Sequence, residues 1–184
     1  MQTISLKVIT KTDALVGREL AKEHFSILAA AGMSGDSGDT ILWDWSAIDI
    51  VSASYVAGAI VPLIRQSGSG KSERYLIFAG LNNHCLEELE FVLKAEKVAV
   101  LVVRSVDNIG AATVIGYLDP VYGDTLTEIL KRRRVSASVL YEAQGKKGTI
   151  GLTGWIKRLT TLNELGLVRR KKVGREYIYE ATYV

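Results

Sequence analysis

Cysteine occurs once in these 184 residues, and histidine and proline twice each. The single Cys85 excludes an intramolecular disulfide framework. His24, His84 and Cys85 are too few to build a structural zinc site, which takes about four ligands. No uninterrupted apolar run approaches the roughly 20 residues that span a bilayer. The opening MQTISLKVITKTD lacks the charged, apolar and small-residue succession of a signal peptide. These absences lead us to expect a cytoplasmic protein with no membrane segment, no metal and no cofactor. No acid–base constellation emerges either, so no enzymatic activity is expected. With so few prolines, Pro62 and Pro120 each mark an expected irregularity: Pro62 inside or at the break of a helix, Pro120 at the close of a strand.

Composition is otherwise ordinary for a globular chain, with 48% apolar and 23% charged residues. The net charge of +3 is unevenly placed. From Asp119 onward there are 13 Lys and Arg against 7 Asp and Glu, whereas residues 1–118 carry 10 against 13. A cationic end on a mildly anionic body points to a polyanionic partner for that end, or to a solvated cationic face.

Along the first part of the chain, apolar periodicity alternates between strand and helix. Residues 2–9, with Ile4, Leu6 and Val8, read as a strand. Thr12 or Asp13 then caps a helix of about five turns carrying Leu15, Val16, Leu20, Phe25, Ile27 and Leu28. Further strands are expected at 40–45, 75–79 and 98–103, with an added one at 112–118. Helices are expected from Ser54 and over 85–93. This order predicts an α/β layer with helices covering a sheet. The loop 66–72, QSGSGKS, ends like a phosphate-binding loop, but Arg65 stands where the pattern needs glycine and a strand follows instead of a helix. His84-Cys85 reads as a buried helix start, and Asp44 with Asp49 as ordinary strand-end and loop residues.

The stretch ILWDWSAIDIVSASYVAGAIV resembles the central strand, loop and helix of STAS domains, the fold of anti-anti-sigma factors. In that family the loop reads Asp-Ser-Ser-Gly and its first serine is phosphorylated. The matching positions here are Ser52-Ala53-Ser54-Tyr55, so alanine stands where the resemblance would put the phosphoacceptor. The form is similar to a divergent STAS-like branch. The resemblance implies an N-terminal STAS-like mixed sheet with helices over 1–118, serving dimerisation, partner binding or sensing. Ser52 and Ser54 would be a regulatory or partner loop, or simply a helix cap.

From Asp119 the pattern changes. Asp124 caps a helix with Leu126, Ile129 and Leu130 that ends in four cations, Lys131 to Arg134. Ser136 or Ser138 opens a second helix with Val139, Leu140 and Ala143, and residues 144–148 turn. Thr149 then caps a third helix whose buried face carries Leu152, Ile156, Leu159, Leu162 and Leu165, stopped by Gly166. Arg169 to Lys172, a Val173-Gly174-Arg175 turn and an alternating Glu176 to Glu180 form a hairpin. This order resembles winged helix-turn-helix DNA-binding domains, here a small α+β unit over 119–184.

With that core face, Thr153, Gly154, Lys157, Arg158 and Thr161 point outward. Arg158 suits guanine, Lys157 a phosphate and the Thr153 methyl thymine. Gly154 would permit close backbone approach, and Trp155 packs between helices. Lys171, Lys172 and Arg175 would serve phosphates or the minor groove. The reading is a DNA-binding transcriptional regulator on double-stranded DNA, expected as a homodimer. The alternative is a protein–protein interaction switch, an adaptor that does not bind DNA.

Overall fold

The computed structural model describes residues 1–68, 73–145 and 148–183. The loop residues Ser69 to Ser72 and the turn residues Lys146 and Lys147 lie outside the described residues, as does Val184. The protein is mixed α/β with a mainly parallel central sheet. In chain order its strands are β1 (Gln2–Ser5), β2 (Ala14–Leu15), β3 (Thr40–Asp44), β4 (Ile50–Val51), β5 (Tyr75–Ala79), β6 (Ala99–Val103), β7 (Thr113–Gly116), β8 (Arg134–Ser136), β9 (Val168–Val173) and β10 (Glu176–Ala181). Its α-helices are α1 (Leu6–Thr10), α2 (Arg18–Gly32), α3 (Ala53–Tyr55), α4 (Val61–Arg65), α5 (Asn83–Ala95), α6 (Pro120–Arg132), α7 (Ala137–Ala143) and α8 (Leu152–Glu164). A π-helical turn, Val56–Ile60, joins α3 to α4.

The main sheet runs β1-β3-β5-β6-β7, parallel except for β7 against β6. Side chains alternate across it, as the pleat requires. Ile41, Trp43, Leu76, Phe78, Val100 and Val102 face one layer, packed with residues of α2, the α3–α4 stretch and α5. Leu42, Ile77, Ala79, Ala99, Leu101 and Val103 face a second layer. That layer also holds Leu126, Ile129, Leu140, Trp155, Leu159, Leu162 and Tyr179. Continuous apolar strands such as Ala99–Val103 therefore reflect burial on both faces. Polar ties cross the same junction. Thr40 Oγ1 donates to the Thr182 carbonyl, and Asn163 Nδ2 donates to Tyr75 Oη at 2.9 Å.

Several expectations need correction. The strand expected over 2–9 stops at Ser5, and residues 6–10 form α1. Leu6 is buried there, while Val8 is 73% exposed. Helix α2 starts at Arg18 with Gly17 as its N-cap, because Ala14–Leu15 are taken up in pairing with β4. Its buried face is Ala21, His24 and Leu28, whereas Ile27 is exposed. Of the two placements expected for Pro62, the structure has the first: it lies inside a helical stretch that runs unbroken from Ala53 to Arg65. The Val61 N–H bonds the Val56 carbonyl five residues back, and this wider turn just before Pro62 accommodates a ring that would crowd a regular α-turn. Pro120 opens α6 as its first residue instead of closing a strand. Asp119, not Asp124, is the cap, accepting from Val121 N at 2.9 Å.

Candidate nucleic-acid interface

Helix α8 has Gly151 as N-cap with no side-chain capping bond, so Thr149 does not cap it. Its core face is Trp155, Leu159, Leu162 and Asn163. The expected face was rotated: Leu152 is 41% and Ile156 47% exposed, and Leu165 is exposed too. The physical reason is bulk. An indole buries more apolar area than Leu152 or Ile156, and Trp155 enters the layer shared with Leu126, Ile129 and Leu140. Gly166 ends the helix with a left-handed backbone, φ +76, as expected of a glycine there.

The rotation sorts the residues expected on the outer face. Thr153 and Lys157 are exposed. Gly154, Arg158 and Thr161 are half-buried on the flank. A Cβ on Gly154 would lie 2.9 Å from Ile150 Cγ2, so this glycine makes room for the preceding loop. The Arg158 guanidinium sits 5.4 Å from the centre of the Trp155 ring, where a cation is attracted to the π face. On the opposite flank, Leu152 and Ile156 line a groove of about 250 Å³ with Arg175, Tyr177 and Tyr179.

The β9–β10 hairpin pairs Lys172 with Tyr177, Lys171 with Ile178 and Arg170 with Tyr179. The Tyr179 hydroxyl lies 3.3 Å from Thr160 Oγ1 of α8. By alternation, Arg170, Lys172 and Tyr177 share the sheet face turned to α8. Lys171 belongs to the other face. Arg170 was not among the residues singled out from sequence, although strand period alone pairs it with Lys172. Its guanidinium stands 4.8 Å from the centre of the Tyr177 ring. Thus Arg175 lines the groove with Leu152 and Ile156, while Thr153, Lys157 and Lys172 are exposed polar or cationic groups on α8 and β9.

Ser52 and Ser54 lie at the start of α3. Ser52 Oγ accepts from Gly17 N at 3.0 Å and from Tyr55 N at 3.3 Å, and lies 3.1 Å from Ser54 Oγ. Ser52 thus caps α3 and ties it to the beginning of α2. Cys85 is buried in the first turn of α5, where Asn82 Oδ1 accepts its backbone N–H at 2.8 Å. Burial raises its thiol pKa, which disfavours the reactive thiolate. Among the described residues no group of three His, Cys, Asp or Glu could hold a metal ion, and no helix is long and apolar enough to cross a membrane. No family model matches this chain, and no curated protein or solved structure is significantly similar to it.

Proposed function

We propose that the chain is a DNA-binding transcriptional regulator, with residues 119–184 acting as a winged helix on double-stranded DNA. The single observation that carries this reading is the cationic hairpin beside an open helix. Arg175 lines the groove beside α8, Lys172 pairs with Tyr177 of that groove, and α8 exposes Thr153 and Lys157. Helix and hairpin together fit a major groove and its bordering phosphates. The N-terminal α/β part is a STAS-like unit for dimerisation, partner binding or sensing, with Ser52 and Ser54 at its loop. A homodimer would pair two short half-sites.

The test is duplex binding by fluorescence anisotropy across a salt series. Affinity should fall steeply with salt, and Lys157→Ala and Lys172→Ala should each flatten the log–log slope by about one. Arg158→Ala should do less, because its guanidinium already lies against Trp155. Duplex binding that ignores both lysines would end this reading.

The exposed Leu152, Ile156 and Tyr177 favour a second reading, an adaptor that docks another protein in the α8 groove. Interface cores concentrate aromatic and apolar side chains. Ile156→Asp separates the two. It should abolish partner capture if the groove is a protein site, and leave the salt-dependent DNA slope unchanged if phosphates carry binding.

A further inference from the structure

The main sheet ends at β7, and among the described residues no strand pairs with its outer edge. Tyr117 N donates to the Val98 carbonyl at 2.9 Å. In that register Thr113 and Ile115 exchange bonds with β6, and the N–H and C=O of Val114 turn outward. Neither outward group has a hydrogen bond among the described residues. The run Ile109 to Leu118, IGAATVIGYL, holds no charge and no proline, the residues that ordinarily guard a sheet edge. Other edges of this protein are guarded. β9 carries Arg169 to Lys172, and β1, at the far end of the main sheet, lies between the Met1 ammonium and Lys7.

An open groove of about 630 Å³ runs between the β7 edge and α6. Ala112, Val114 and Leu118 form one wall, and Leu126 and Leu130 the other. Thr113 lines it too, although its side chain belongs with Ile115 to the opposite face of the sheet, so the backbone edge is itself part of the wall. On α6 the groove reaches from Gly123 to Lys131. That is about 12 Å of helix, the length of about four residues of strand. A Cβ on Gly123 would meet nothing within 4 Å beyond its own helix backbone, so α6 is open there to a close neighbour. Tyr117 and Val121, on either side of the turn into α6, are exposed.

We propose that the outer edge of β7 is a dimer interface, occupied by β7 of a second copy related by a two-fold axis, so that two five-stranded sheets join into one. The regulator reading supplies the need for two copies; the edge itself supplies where they meet. Opposite residues of an antiparallel pair point to the same face. The partner's Val114 therefore enters the groove beside α6, and this chain's Val114 enters the partner's. An uncharged run meets its own copy with no like charges opposed, whereas β9 against itself would set Arg169 to Lys172 against the same cations. A stable dimer takes about 800 Å² from each side. A strand edge alone is too short for that, and α6 with Tyr117 and Val121 adds apolar area.

The experiment is light scattering on the full chain, without DNA, over a dilution series. At the concentrated end the expected mass is twice the 20.1 kDa of one chain. Val114→Pro removes an N–H that bonds nothing within the chain, so it should halve the mass and leave the circular dichroism spectrum unchanged. Thr113→Lys charges an exposed edge position and should also halve the mass; it decides the matter if the proline disturbs folding. A wild-type chain that is monomeric throughout overturns the proposal, as does a dimer that persists in Thr113→Lys. Duplex titration keeps the two readings apart. A β7 dimer that ignores duplex DNA supports the interface and defeats the regulator, while a monomer with salt-dependent duplex binding defeats the interface alone.

Discussion

Asn163 is fully buried, and its amide nitrogen donates to Tyr75 Oη at 2.9 Å and to the Val168 carbonyl at 2.8 Å. One side chain thereby joins β5, α8 and β9. Asn163→Ala removes both bonds and leaves a buried hydroxyl and carbonyl short of a donor. It should cost about 2 kcal/mol in urea denaturation. His24 offers a pH test at the same scale. Its Nδ1 lies 2.9 Å from the Tyr55 hydroxyl in a buried site, and desolvation holds its pKa below 6.5, with Glu23 opposing. The folded state therefore binds fewer protons than the unfolded chain. The stability from keeping the ring neutral is fully present above pH 6.5 and is lost as pH falls from there toward the lowered value. Melting temperature should decline over that window, and His24→Gln should flatten the decline.

Between elements, α2 lies tightly against the π-helical turn. A Cβ on Gly58 would lie 2.9 Å from the Ala21 Cβ, so the two segments touch nearly backbone to backbone. Gly58→Val must push α2 off the sheet and should destabilise by about 1–3 kcal/mol, read as a shift of the urea midpoint. Elements with one dominant period were legible in the sequence. Tyr75–Ala79, apolar throughout and bounded by turns, forms its strand as expected, and the turn at Gly174 closes the expected hairpin. Elements with two compatible frames were not. In α8, Leu152-Ile156-Leu159 and Trp155-Leu159-Leu162 are both spaced for a helix face, and only the partner helices decide between them. In residues 2–9, alternation of Ile4, Leu6 and Val8 suits a strand, but Leu6 is buried in a short helix. At the candidate interface, Thr153, Lys157, Lys172 and Arg175 were reachable from sequence. The pairing of the buried Glu180 carboxylate with Arg134 and Arg169 was not, because it depends on β8 joining, in register, a hairpin that comes much later in the chain.

For the molecule as a whole, the second apolar layer is the decisive feature. Leu42, Ile77, Leu101 and Val103 are covered in a layer completed by Leu126, Trp155, Leu159 and Tyr179. Leaving out everything after residue 118 would expose a sheet face several strands wide, the kind of patch that drives aggregation. The fragment 1–118 should bind a hydrophobic dye and melt well below the full chain. The full chain should unfold in one transition, with circular dichroism and tryptophan fluorescence coinciding.

That late-arriving cover has a consequence during synthesis. The strands of the main sheet leave the ribosome well before β10 exists, and a chain grows by only about 5–20 residues each second. For some seconds the sheet's second side is bare. A nascent chain stalled before Tyr179 should therefore be a strong client for chaperones that recognise unprotected apolar surface, and release of the remaining residues should end that dependence.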